Sequence, residues 1–187
     1  MRPIFALAVP LLALVLAACA TRPPVAPDFF SLQSEEAYTL GSGDRLRVIV
    51  FGQDSLSNSY AVDGSGRIAM PLIGLIDARS RTTYALARQI EGRLREGYLR
   101  DPKVSVEVEQ YRPFFVLGEV TTSGQFPYVN NMTVQTAVAI AGGFGPRANR
   151  NYAELTRIYN GETYIVEVPL TTPVRPGDTI TIRERFF

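Results

Sequence analysis

The reactive side chains of this 187-residue chain are few in kind: there is no histidine, a single cysteine, Cys19, and 18 aspartates and glutamates. Cys/His zinc sites, Ser-His-Asp triads and Cys-His nucleophile pairs need residues that are missing here. Carboxylate chemistry alone stays open, and no metal ligand set or cofactor motif is read from the sequence. Two carboxylates stand out by their setting. Ser42-Gly43-Asp44-Arg45-Leu46-Arg47-Val48 and Pro176-Gly177-Asp178-Thr179-Ile180-Thr181-Ile182 echo one another, each placing a Gly-Asp turn ahead of an alternating strand. A functional reading makes Asp44 and Asp178 a carboxylate pair. A structural reading makes each a turn residue bonded to its own backbone, and it is preferred because aspartate after glycine is commonplace in turns. A glycan hydrolase would place two carboxyls across a cleft. Nothing singles out such a pair, so no catalytic residue is assigned and the chain is not read as an enzyme.

Two other patterns invite a ligand. Gly142-Gly143 followed by Gly145-Pro146 imitates a phosphate-cradling loop, but it follows a helical pattern instead of preceding one, and no Gly-Lys-Ser/Thr comes after it. Tyr111, Phe114, Phe115, Tyr128 and Tyr152 would supply stacking faces for a sugar if they met in one concave site, although core packing is the commoner fate of such rings. No individual sugar-binding residue is assigned. Without residues 1–18 the chain loses one basic residue, Arg2, and becomes formally neutral. A nucleic-acid partner is therefore not expected, since phosphate binding needs a clustered basic surface.

The elements that must position these residues follow from periodicity. Residues 1–18 read as a signal peptide: Arg2, then an apolar stretch from Ile4 to Ala18 interrupted by Pro10. Leu16-Ala17-Ala18-Cys19 resembles the lipobox of bacterial lipoproteins, which implies cleavage before Cys19 and acylation of that cysteine; multiple acyl chains anchor stably where one does not. Ala20, in place of an aspartate, implies sorting to the outer membrane by the same resemblance. Residues 19–36, with Pro23, Pro24 and Pro27, read as an extended tether.

A first domain is expected over 37–111. Tyr38–Leu40 reads as a short strand entering a turn at Gly43 and Asp44, and Leu46, Val48 and Val50 alternate with Arg45, Arg47 and Ile49 in a strand through Phe51. The run from Tyr60 to Met70 reads as a hairpin reversing at Gly64 and Gly66. Leu86, Ile90 and Leu94 recur every four residues beside Ala87, predicting a helix over 83–97 capped by Thr82 or Thr83, with Glu91 and Arg95 on the other side. Val104, Val106 and Val108 then alternate with polar residues. A second domain is expected over 112–187. Phe114–Leu117 is a continuous apolar run ending at Gly118, the pattern of a strand covered on both faces. A turn closing at Gly124, a helix from about Thr133 stopped by Gly142 and Gly143, a hairpin about Asn160-Gly161 and the Gly177-Asp178 turn complete it. The order of elements predicts an α+β protein of two small domains.

Together, YTLGSGDRLRVIVF (38–51), VDGSGRIAMPLIG (62–74), GYLRDPKVSVEV (97–108) and RPFFVLGEVTTSGQFPYVNNMTVQTAVAIAGG (112–143) resemble the bacterial outer-membrane polysaccharide export family. The likeness runs from about Tyr38 to the end. It implies a polysaccharide-export domain followed by a soluble-ligand-binding β-grasp (SLBB) domain. It also implies a homo-oligomeric ring, often octameric, that is lipid-anchored to the outer membrane, faces the periplasm and conducts a capsular or exopolysaccharide outward. The partner it implies is an inner-membrane co-polymerase, frequently one carrying a tyrosine kinase. Longer members continue into an amphipathic helix that crosses the outer membrane. Here the sequence reaches Phe187 without such a segment, so the expectation is a periplasmic conduit whose exit is a separate β-barrel. A monomeric lipoprotein binding an envelope glycan is the alternative.

Overall fold

The computed structural model describes residues 37–159 and 161–185. The expected signal peptide, Cys19 and the tether lie outside these residues. The protein is α+β, with ten strands, two α-helices and two hydrophobic cores among the described residues.

The first core is built on a three-stranded antiparallel sheet in the order β2-β1-β5, where β1 is Arg45–Val50, β2 Asn58–Ala61 and β5 Val104–Gln110. Alternation along β1 buries Leu46, Val48 and Val50. Helix α1 (Thr83–Arg95) packs against β5 and turns Leu86, Ile90 and Leu94 into the same core. Each of these side chains contributes roughly 2 kcal/mol on burial. The helix starts where it does because Thr82 Oγ1 accepts the Ala85 N–H at 3.1 Å. Glu91 does not lie on a wet face with Arg95. It is buried, accepts the Val104 N–H at 3.1 Å and pairs with Arg88 at 2.9 Å, so it pins the helix to the start of β5.

Two local expectations change here. Tyr38–Leu40 is not a strand; Leu40 is held instead by backbone bonds to Arg81 and Ser80. The segment from Tyr60 to Met70 turns at Gly64 and Gly66, yet it is not a hairpin. Its first strand pairs with β1 (Tyr60 opposite Leu46), while β3 (Arg67–Met70) pairs with β4 (Gly74–Asp77) in a separate two-stranded sheet. The reason is that Val62 is tied to the first Gly-Asp turn, donating to the Asp44 carbonyl at 2.8 Å and accepting from Gly43 at 3.0 Å. That commits β2 to β1 before the reversal is reached. The β3–β4 turn holds Leu72 in the left-handed region at φ 69°.

The second core lies between α2 (Val134–Ile140) and one face of a five-stranded sheet in the order β7-β6-β10-β8-β9. Its strands are β6 Phe114–Gly118, β7 Gly124–Phe126, β8 Tyr152–Tyr159, β9 Glu162–Pro169 and β10 Thr179–Ile182. β6 and β10 run parallel and the other pairs antiparallel, a β-grasp-like arrangement. Thr133 caps α2, and Gly142 and Gly143 end it at φ 84° and 92°. Gly143 N–H bonds to Val138 and Gly142 N–H to Ala139, the Schellman pattern. β6 is not covered on both sides: Phe114 and Val116 are fully buried, but Phe115 and Leu117 are 38% and 44% exposed. Gly124 is not a turn residue but the first residue of β7, opposite Val116. Gly118 ends β6 at φ 85°, and a Cβ there would sit 2.1 Å from the Ile182 carbonyl oxygen, so only glycine lets the chain pass β10 at this point.

Candidate functional site

The two Gly-Asp echoes fold into the same object. In Gly41–Asp44 and in Arg175–Asp178 the fourth residue's N–H bonds to the first residue's carbonyl, at 3.2 and 3.1 Å, and the glycine at the third position has φ 95° and 89°. Those are type II turns, which need a positive φ at that position. In each, the aspartate Oδ2 reaches back to accept the first residue's N–H, at 2.8 Å for Gly41 and 2.7 Å for Arg175. Both carboxylates are buried, and each takes an arginine. Arg157, an inward-facing residue of β8, gives Asp178 Oδ1 its Nε–H at 2.9 Å and Oδ2 its Nη2–H at 2.7 Å. Burial pushes the Asp178 carboxyl up, and these arginine contacts oppose the shift.

Arg112 joins the two turns. Its backbone N–H donates to Asp44 Oδ1 at 2.8 Å, its Nη1 approaches Asp44 Oδ2 at 3.3 Å, and its Nε–H donates to the Pro176 carbonyl at 3.1 Å. Glycines make the space. A Cβ on Gly41 would lie 2.2 Å from Arg112 Nη1, and one on Gly177 would lie 2.8 Å from Nε. Tyr38 completes the group: its hydroxyl donates to Asp44 at 2.7 Å and accepts from Arg112 Nη1 at 3.0 Å, with the guanidinium carbon 5.5 Å from its ring centre. Burial, and next to it the Asp44 charge against the opposing Arg112, hold the Tyr38 phenol well above its ordinary range. A carboxylate saturated in this way has no open position for a substrate, so this group holds the modules together.

Beside the clamp, Tyr111 packs edge-on against Tyr38 at 5.0 Å and against Tyr128 at 5.4 Å between ring centres. These three rings, with Asn130, Asn131 and Arg175, line a cleft of about 140 Å³ at the module seam. A wider groove of about 500 Å³, lined by Tyr84, Thr82 and Glu107 among others, shares Tyr38 and Tyr111 with it. Of the five aromatics considered from sequence, the structure brings together only Tyr111 and Tyr128. Phe114 stacks on Phe126 in the core at 5.9 Å; Phe115 and Tyr152 stand exposed elsewhere.

Of the glycines assigned to turns, Gly43, Gly66, Gly118, Gly142, Gly143 and Gly177 all have positive φ. Gly64 sits in the Asp63–Gly66 turn, where its carbonyl accepts from Arg79 at 2.8 Å. Arg112, Arg157 and Tyr38 were not anticipated as a site. An arginine in an inward position of the β8 alternation was a visible signal for Arg157; no periodicity marks the other two.

The face of the five-stranded sheet opposite α2 is uncovered. Ile158 and Ile165 are 71% and 62% exposed there, beside Phe115 and Leu117. Threonines separate them: Phe115 lies opposite Thr179, Thr179 opposite Thr156, and Thr156 opposite Ile165. Among the described residues no group of three or more acidic, cysteine or histidine side chains could hold a metal ion, and no helix is long and apolar enough to cross a membrane.

Comparison with known proteins matches residues 32–109 to the family of polysaccharide biosynthesis/export proteins and residues 113–168 to the SLBB domain. The chain is 37% identical over 139 residues to the exopolysaccharide production protein ExoF of Rhizobium meliloti (strain 1021). That alignment takes in 65% of this chain and 33% of the relative, so the chain spans about a third of the length of the curated relative it matches.

Proposed function

We propose, from the premise that this chain belongs to the polysaccharide export family, that it is a non-enzymatic envelope protein that passes an exopolysaccharide or capsular polysaccharide from periplasm to cell surface. The observation that carries this reading is the pairing, in one chain, of a polysaccharide biosynthesis/export module with an SLBB module. The resemblance of 37% to a protein of exopolysaccharide production supports it.

In this reading the chain is held on the outer membrane by acylated Cys19 and works as a ring of copies, octameric in the form the family resemblance suggests. An inner-membrane co-polymerase feeds the polymer, and a separate β-barrel receives it. Transport of a hydrated polymer favours weak repeated contacts over a tight site, by the argument that binding must be strong enough to enter and weak enough to leave. Head-to-tail copies close into a ring through two different surfaces, and the uncovered sheet face carrying Phe115, Leu117, Ile158 and Ile165 is the surface a neighbouring copy would cover.

The test is a strain deleted for this gene, without a paralogue, assayed for surface polysaccharide. Loss of secretion, restored by the wild-type chain and not by a Cys19→Ala chain, is the expected result; undiminished secretion in the deletion strain removes the export role. The tyrosine-lined cleft favours a second reading, an anchored monomer that binds an envelope glycan. The native mass of the detergent-extracted protein separates the two, a stable multimer favouring export.

A further inference from the structure

We propose that the groove between α1 and the free side of β5 is a docking site for a segment of the same chain: residues 29–36, at the end of the tether, lie in it as a strap. The segment is outside the described residues. The contact depends neither on the export reading nor on acylation of Cys19.

The groove asks for a covering chain. β5 is an edge of its sheet: β1 pairs with it on one side, and among the described residues no strand lies on the other. Three consecutive residues of β5, Val106, Glu107 and Val108, line the groove, so part of its floor is that unpaired edge. An open edge with backbone donors and acceptors to spare takes an extended segment by strand addition. The opposite wall is the start of α1, where the Tyr84 ring is 74% exposed although it borders a groove of about 500 Å³. An aromatic ring placed there and joined to neither core is a surface for another apolar side chain.

The chain itself points to the occupant. Leu40 exchanges backbone bonds with Ser80 and Arg81, and Ala37, the first described residue, lines the groove beside Thr82 and Tyr84. The residues just before Ala37 therefore enter the groove directly. Their sequence suits it. Phe29, Phe30 and Leu32 are the bulkiest apolar residues of the tether, and in an extended chain Phe30 and Leu32 share a side. Glu35 and Glu36, next to Ala37, fall at the N-terminus of α1, whose first turn has no acidic residue of its own and follows the exposed Arg81; carboxylates are favoured there. The one charged residue of the lining, Glu107, belongs to the β5 wall, where the uncharged residues 29–34 would lie. The family match begins at residue 32, so the match itself takes in the end of this segment. A strap seated there fills the space beside the clamp and shortens the leash: at full stretch the span from Cys19 to the module falls from about 60 Å to about 35 Å. That consequence alone rests on the lipid-anchor reading.

The test is hydrogen exchange of the full-length chain in detergent, read by mass spectrometry. Backbone amides of residues 30–36 should exchange at least about tenfold more slowly in wild type than in a chain carrying both Phe30→Ser and Leu32→Ser. Amides of residues 105–109 should lose protection in that same variant, whose changes lie outside both cores and so leave the modules folded. Tyr84→Ser, at an exposed position on the groove side, should speed exchange of the segment at least about fivefold. Fast exchange of residues 30–36 in wild type, or slow exchange unmoved by both variants, overturns the proposal. So does protection that disappears on dilution together with the multimer, which would assign the segment to the groove of a neighbouring copy. The readout involves neither secretion nor acylation, so its failure leaves the export reading standing.

Discussion

Arg112 ties the two Gly-Asp turns to each other. Removing its side chain leaves a buried Asp44 carboxylate without its cation and the Pro176 carbonyl without its donor. Breaking a buried pair costs several kcal/mol, and the partial exposure of Arg112 places its share at the low end, so Arg112→Ala should destabilise the protein by about 3 kcal/mol. In urea unfolding a single transition should give way to two, one for each module. Arg112→Lys should recover little, because an ammonium cannot reproduce both the contact with Asp44 and the planar Nε–H bond. The Tyr38 phenol supplies a pH dependence. Its folded pKa lies above the ordinary value of 10.0, so the stability it contributes is complete below pH 10. Above that, the unfolded chain releases the proton while the folded one retains it, and stability falls as pH rises. Denaturation midpoints at pH 8 and pH 10.5 should differ more for wild type than for Tyr38→Phe. The two aspartates were legible as turn residues because the whole turn is four consecutive residues. Arg112 was not, because it bonds Asp44 across 68 positions and local patterns carry no record of such a pairing.

At the scale of elements, periodicity is legible wherever one face is buried. Leu86, Ile90 and Leu94 mark α1, and Leu46, Val48 and Val50 mark β1, since burial itself imposes the spacing. It fails where partnership is decided from afar. The Phe114–Leu117 run looks doubly covered, but only α2 arrives, and the other face stays open. The Tyr60–Met70 segment has hairpin chemistry, but its strands belong to different sheets. Glycine tests the architecture directly. Gly118→Ala sets a methyl group against the Ile182 carbonyl and forces alanine into a positive φ, so it should cost the second module at least about 2 kcal/mol. Thermal unfolding would read it. Leu72 presents the reverse case: an exposed leucine at φ 69°, where Leu72→Gly should raise stability by about 1 kcal/mol. A loss of stability in that variant would mean that the leucine side chain holds the hairpin in some other way.

At the scale of the whole molecule, assembly follows from what is left uncovered. If neighbouring copies bury the open sheet face, Ile158→Glu and Ile165→Glu should leave the melting of the isolated chain nearly unchanged. The native mass in detergent should nevertheless fall from multimer to monomer. Retention of the multimer in both variants would place the contact elsewhere. The seam has a mechanical consequence for any such assembly. One cation gripped by a pair of matching elbows makes the protomer a braced strut instead of two beads on a string. A pull on one half of such a strut would pass to the other through the Arg112 guanidinium, its backbone N–H on Asp44 and the three tyrosine rings beside them.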